Sequence, residues 1–98
     1  MEDKKAKQVT VQISIDEQTA QGIYANMAVV QHSASEFIVD FIFINPGQPM
    51  SKVRSRVIMS PDHAKRLHKV LGENLNLYEK QFGEIKIFEM PKPEPTVQ

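Results

Sequence analysis

Three segments in a row between Ile23 and Met59 read as β-strands, and they can be paired so that one shared face is apolar while the other mixes apolar with charged residues. Residues 23–32, 36–44 and about 51–59 carry this pattern. Ser33, Ala34 and Ser35 separate the first two, and Asn45-Pro46-Gly47-Gln48-Pro49 separates the next two. In the second of these turns proline presets one backbone angle and glycine tolerates a positive one. Upstream, Val9, Val11, Ile13 and Ile15 alternate with Thr10, Gln12 and Ser14, the two-residue period of a strand with one buried face. Residues 16–22 are polar and end in glycine, which suits a connector with a helical turn.

Antiparallel pairing of these segments fixes an expected register. Centring the first hairpin on Ala34 sets Val29 opposite Val39, Met27 opposite Phe41 and Ala25 opposite Phe43. Centring the second near Gln48 sets Val39 opposite Val57 and Phe43 opposite Val53. All of these share the expected core face. The second face then holds Tyr24, Asn26, Ala28, Val30, Ile38, Asp40, Ile42, Ile44, Arg54, Arg56 and Ile58, with Asp40 opposite Arg56.

Ser60-Pro61-Asp62 opens a helix: serine caps it, proline suits the first helical position and aspartate complements the positive end of the dipole. Ala64, Leu67, Leu71, Tyr78 and Phe82 recur at helical spacing, Val70, Leu75 and Leu77 widen the stripe, and Gly83 supplies the stop. Such a helix, about 33 Å long, can span the phenylalanine-rich sheet face. Ile85, Ile87 and Phe88 suggest a short fifth strand that adds to a sheet edge or reaches a neighbouring subunit. The expected fold is therefore α+β, a four-stranded antiparallel meander followed by one long helix on one face. That order is loosely similar to the bacterial protein-export chaperone. The domain is expected over residues 9–89, with flexible tails at 1–8 and 90–98.

Several short runs carry a more specific likeness: Tyr24-Ala25-Asn26, His32-Ser33 with Glu36-Phe37-Ile38-Val39-Asp40-Phe41, residues 55–61, residues 63–67, and Tyr78-Glu79 with Phe82-Gly83. Together these resemble a small prokaryotic family of roughly hundred-residue proteins classed as a domain of unknown function. The likeness covers about residues 9–88 and brings no activity with it. It implies that Tyr24, Asn26, Glu36, Asp40, Arg56 and Pro61 belong to the family pattern.

Composition narrows the function classes. In 98 residues, 12 basic side chains balance 12 acidic ones, so general electrostatic attraction to nucleic acid or an anionic membrane is not expected. The absence of cysteine removes disulfides, thiolate zinc sites and a cysteine nucleophile. A charged N-terminus and the lack of any membrane-length apolar run point to a cytoplasmic protein.

Candidate sites follow from what remains. His63 and His68 are five residues apart on the expected helix, and His32 lies in a hairpin, so no shared face for a metal arises and no cofactor is expected. No nucleophile, phosphate loop or paired catalytic carboxylates accompany the histidines, so no catalytic residue is assigned. Asp40 and Arg56 read as a cross-strand ion pair, or alternatively as a small-ligand or enzyme site. Arg54 and Arg56, with Lys52 and Tyr24, form the alternative of a nucleic-acid surface. The leading expectation is a non-enzymatic interaction or regulatory module. It forms a homodimer or higher homo-oligomer through the second face or an edge, because Tyr24, Val30, Ile38, Ile42, Ile44 and Ile58 would leave an exposed apolar patch on a monomer.

Overall fold

A computed structural model describes residues 9–96. Its elements run α1 (Glu17–Ala20), β1 (Met27–His32), β2 (Phe37–Ile42), β3 (Val53–Met59) and α2 (Pro61–Phe82). The sheet is an antiparallel meander in the order β1-β2-β3, so the α+β class and the strand-then-helix order hold. The fourth strand does not. Residues 9–15 join no ladder, and residues 85–88 form no strand. The likeness to the export chaperone, which depended on four strands, finds no support in three. The terminal segments 1–8 and 97–98 lie outside the described residues.

The β1–β2 register differs from the expected one by a single residue. Val29 lies opposite Asp40, Val30 opposite Val39 and Met27 opposite Ile42. The cause is the turn. Ser33 Oγ accepts hydrogen bonds from the Ser35 and Glu36 backbone amides at 3.2 and 3.3 Å, and Ser33 N–H donates to the Glu36 carbonyl at 2.9 Å. A hydroxyl that bonds two forward amides closes a loop of residues 33–36, so His32 faces Phe37. Because side chains alternate with period two, the one-residue change moves every β1 side chain to the other face. Met27, Val29 and Gln31 therefore share the face of Asp40, while Ala28 and Val30 join Val39 and Phe41.

The β2–β3 register is the expected one through Ile38–Ile58, Val39–Val57 and Asp40–Arg56. It then breaks at a bulge: Phe41 faces Ser55 but Ile42 faces Val53, which leaves Arg54 unopposed. Phe43 is thus not the partner of Val53. The Arg54 guanidinium instead lies over the Phe43 ring, 5.5 Å from its centroid.

Helix α2 starts and stops where its local chemistry dictates. Ser60 Oγ accepts from His63 N–H at 3.1 Å, Pro61 takes the first turn, and Asp62 pairs with Arg66 one turn on. At the far end Gly83 adopts φ +100° and its N–H reaches the Glu79 carbonyl at 2.9 Å, a backbone angle that a side chain would oppose. The expected packing of this helix on the sheet is absent. Leu67, Leu71, Leu75, Tyr78 and Phe82 are all exposed, and no residue of α2 is buried. The segment after it turns back alongside, with Ile85 N–H donating to Glu79 Oε2 at 3.0 Å. It forms one wall of a shallow groove with Gly72, Leu75, Asn76 and Glu79.

No apolar side chain among the described residues is buried. The chain exposes 9444 Å², whereas a compact monomer of 11.2 kDa exposes about 5,700 Å². Its radius of gyration, 17.6 Å, exceeds the roughly 13 Å of a compact domain this long. Amphipathic elements are formed, but their apolar faces are not covered by one another.

Candidate interaction surface and its ion pair

The one fully buried side chain among the described residues is a charged one, Asp40, at 0% exposure. Its central position on β2, opposite Arg56 on β3 and Val29 on β1, places it in the middle of the sheet. Arg56 grips it with two nitrogens: Nε to Oδ1 at 2.6 Å and the terminal nitrogen Nη2 to Oδ2 at 2.9 Å. This fork matches the planar guanidinium to both carboxylate oxygens, the geometry in which charge-assisted hydrogen bonds are strongest. The Arg56 hydrogen bonds hold the Asp40 carboxyl below the usual carboxylate range; burial opposes that shift, and Thr96 and the Arg56 charge add to it. The same bond from Asp40 raises Arg56. Thr96 sits beside the carboxylate with its Oγ1 enclosed, although that hydroxyl is not in full hydrogen-bonding geometry.

Asn26 forms a second bracket, next to the strand ends. Its Oδ1 accepts from Ile44 N–H at 2.7 Å and its Nδ2 donates to the Ile44 carbonyl at 3.0 Å, while Asn26 N–H donates to the Ile42 carbonyl at 3.0 Å. One amide side chain thereby replaces a pair of ladder bonds and continues the β1–β2 pairing past its last regular residue. Tyr24 lies just beyond, edge-on to Phe43 with ring centroids 5.9 Å apart. It remains 73% exposed.

The residues expected on one second face are thus distributed. Ile38, Asp40, Ile42, Arg56 and Ile58 do share a face, and Met27 and Val29 join them. Val30 lies on the opposite face, Arg54 is in the bulge, Asn26 is bonded to the Ile44 backbone, and Tyr24 meets Phe43. The Ser33 hydroxyl is the sequence signal from which the β1 assignment could have been made. No local signal in the chain pairs Thr96 with Asp40, since 55 positions along the chain separate them.

Chemically, a carboxylate saturated by a guanidinium fork is a poor proton acceptor, and its partner is likewise engaged. Of the positions that the likeness marked, five have structural roles. Asn26 brackets two strands, Glu36 closes a turn through its backbone, Asp40 and Arg56 are the halves of an ion pair, and Pro61 starts a helix. Among the described residues no group of three His, Asp or Glu side chains is arranged to hold a metal. No helix among them is long and apolar enough to cross a membrane.

Together these features define a small α+β protein, a three-stranded antiparallel sheet with a central ion pair followed by a long amphipathic helix. The chain belongs to the family described as Protein of unknown function (DUF3467), whose pattern matches residues 1–87. No curated protein and no solved structure matches it significantly.

Proposed function

We propose that this chain is a non-enzymatic interaction module that works as a homo-oligomer, its core being completed by a second copy. The observation that carries this reading is the absence of a buried apolar side chain, among the described residues, in an otherwise well-formed sheet and helix. The surface in excess of a compact monomer, roughly 3,700 Å² per chain, is more than the share of about 1,000–2,500 Å² that each partner of an obligate homodimer contributes to its interface. Conformational entropy lost on ordering two elements has to be offset by apolar burial, and here that burial is not supplied within one chain.

The alternatives fare less well on the same geometry. A ligand at Asp40 and Arg56 would have to displace a two-bond fork in which the carboxylate is enclosed. A nucleic-acid surface built on Arg54 and Arg56 would have one guanidinium over Phe43 and the other on Asp40, in a chain of balanced charge. Sedimentation equilibrium of the full chain tests the proposal: a mass of twice 11.2 kDa or a higher multiple at micromolar concentration is expected. A folded monomer at high micromolar concentration would refute it.

A further inference from the structure

We infer that residues 9–15 act as an exchanged strand, adding to the free edge of β1 in a second copy of this chain. This rests on the homo-oligomeric reading and specifies how the copies engage.

The sequence of the segment, Val9-Thr10-Val11-Gln12-Ile13-Ser14-Ile15, contains no charge, proline or glycine and alternates β-branched apolar with polar residues throughout. That composition favours a pleated strand. Yet it is unpaired in the chain, and Val9, Val11, Ile13 and Ile15 are 83, 75, 91 and 66% exposed. Four β-branched apolar side chains presented to water in register are unfavourable in the single chain. The segment is followed by a formed turn. Asp16 Oδ1 caps α1 by accepting from Thr19 N–H at 2.8 Å, and Gly22 at φ +73° turns the chain after it. A formed turn therefore separates the arm from its own β1.

The two sheet edges differ in how they would receive such an arm. β3 carries Arg54 and Arg56 and is interrupted by a bulge, and charges and bulges are the devices that blunt an edge against further pairing. β1, Met27-Ala28-Val29-Val30-Gln31-His32, has no Lys, Arg, Asp or Glu and no bulge. It is an undefended edge, and the only one among the described residues. A seven-residue arm and a six-residue edge, both without Lys, Arg, Asp or Glu, have matching lengths and chemistry, and a reciprocal exchange between two copies satisfies both at once through a closed two-fold arrangement.

The test uses the full chain, whose lack of cysteine permits a single introduced one. Unlabelled Gln12→Cys chains carrying a nitroxide are mixed under unfolding conditions with nitrogen-15-labelled unmodified chains, refolded together, and examined by NMR. Gln12 is on the polar side of the alternation, so the label leaves the apolar side intact. Exchange predicts that the amides of Met27–His32 on the labelled chains broaden more strongly than those of Val53–Met59. Ile13→Pro, which puts a proline inside the added strand, should weaken association about tenfold or more. Broadening centred on β3 would overturn the inference. So would a dimer with no interchain broadening of β1, or one indifferent to Ile13→Pro; in these cases the homo-oligomeric reading would stand and only the exchange would fail. A monomer in every mixture would remove both.

Discussion

Asp40 and Arg56 face each other at the centre of the sheet, joined by two hydrogen bonds of 2.6 and 2.9 Å, with the carboxylate enclosed and the guanidinium side chain 30% exposed. The asymmetry of exposure sets the consequence of breaking the pair. Asp40→Ala leaves a cation that keeps some access to water, so its cost should be about 2 kcal/mol, below the roughly 3–5 kcal/mol of a fully enclosed pair. Exchanging both residues for apolar ones of similar size should recover much of that loss, because the desolvation penalty departs with the attraction. Urea denaturation of the two single variants and the double variant, at one protein concentration, measures the coupling.

This pair was legible from the sequence, and so were the helix limits, because each depends on chemistry within one hairpin or one turn. Asp40 meets Arg56 whenever β2 and β3 pair around residue 48, and Ser60 with Pro61 starts a helix whatever lies beyond. The β1 register was harder: the Ser33 hydroxyl, by accepting from two forward amides, decides between a loop centred on Ala34 and one residue longer, and every β1 side chain depends on the outcome. The bulge at Arg54 has no sequence signal stronger than its position between two turns. Least legible was the fate of the apolar faces. Alternation in residues 9–15 and the stripe from Leu67 to Phe82 say that a side must be covered, but periodicity is silent about which chain covers it.

Acid should weaken the fold through Asp40. Its folded-state carboxyl lies below the ordinary value of 3.8, chiefly because Arg56 bonds its charged form. A depressed folded value means that the unfolded chain takes up protons first as pH falls. The contribution is therefore complete above the unfolded value and is lost as pH drops through it toward the folded one. Asp16, lowered by its hydrogen bonds from Thr19, acts in the same direction at α1. Melting temperature recorded from pH 7 to pH 2 should stay level and then fall below about pH 4. In Asp40→Asn that fall should be shallower, while Asp16→Asn should remove only the share due to the α1 cap.

Asn26 should tolerate neither shortening nor a change of charge. Asn26→Ala deletes both bonds to Ile44 and should cost about 1–2 kcal/mol. Asn26→Asp keeps the acceptor for Ile44 N–H, but it sets a second oxygen against the Ile44 carbonyl now 3.0 Å from Nδ2. It should therefore destabilise the protein by a comparable amount at pH 7. Faster hydrogen exchange at the Ile44 amide in Asn26→Ala, with slow exchange kept at Val39, would locate the loss at this bracket. Unchanged exchange at Ile44 would show that the bracket contributes nothing.

The helix provides the sharpest check on the homo-oligomeric core. Leu71 lies at the centre of the apolar stripe of α2 and is 56% exposed in the single chain, so on that chain alone Leu71→Lys is an ordinary surface exchange worth less than about 0.5 kcal/mol. If a second copy covers the stripe, the same change drives an ammonium into an apolar interface, where an unpaired charge is expensive. Association should then weaken by at least about a hundredfold, equivalent to roughly 2.7 kcal/mol, and the melting temperature should become lower and more dependent on protein concentration. Lys69→Glu is the companion variant, since it alters charge on the polar side of the same helix and should leave the sedimenting mass unchanged. A Leu71→Lys protein with the mass and melting temperature of the parent would show that α2 faces water in the assembled protein, and the core would have to be completed through the sheet alone.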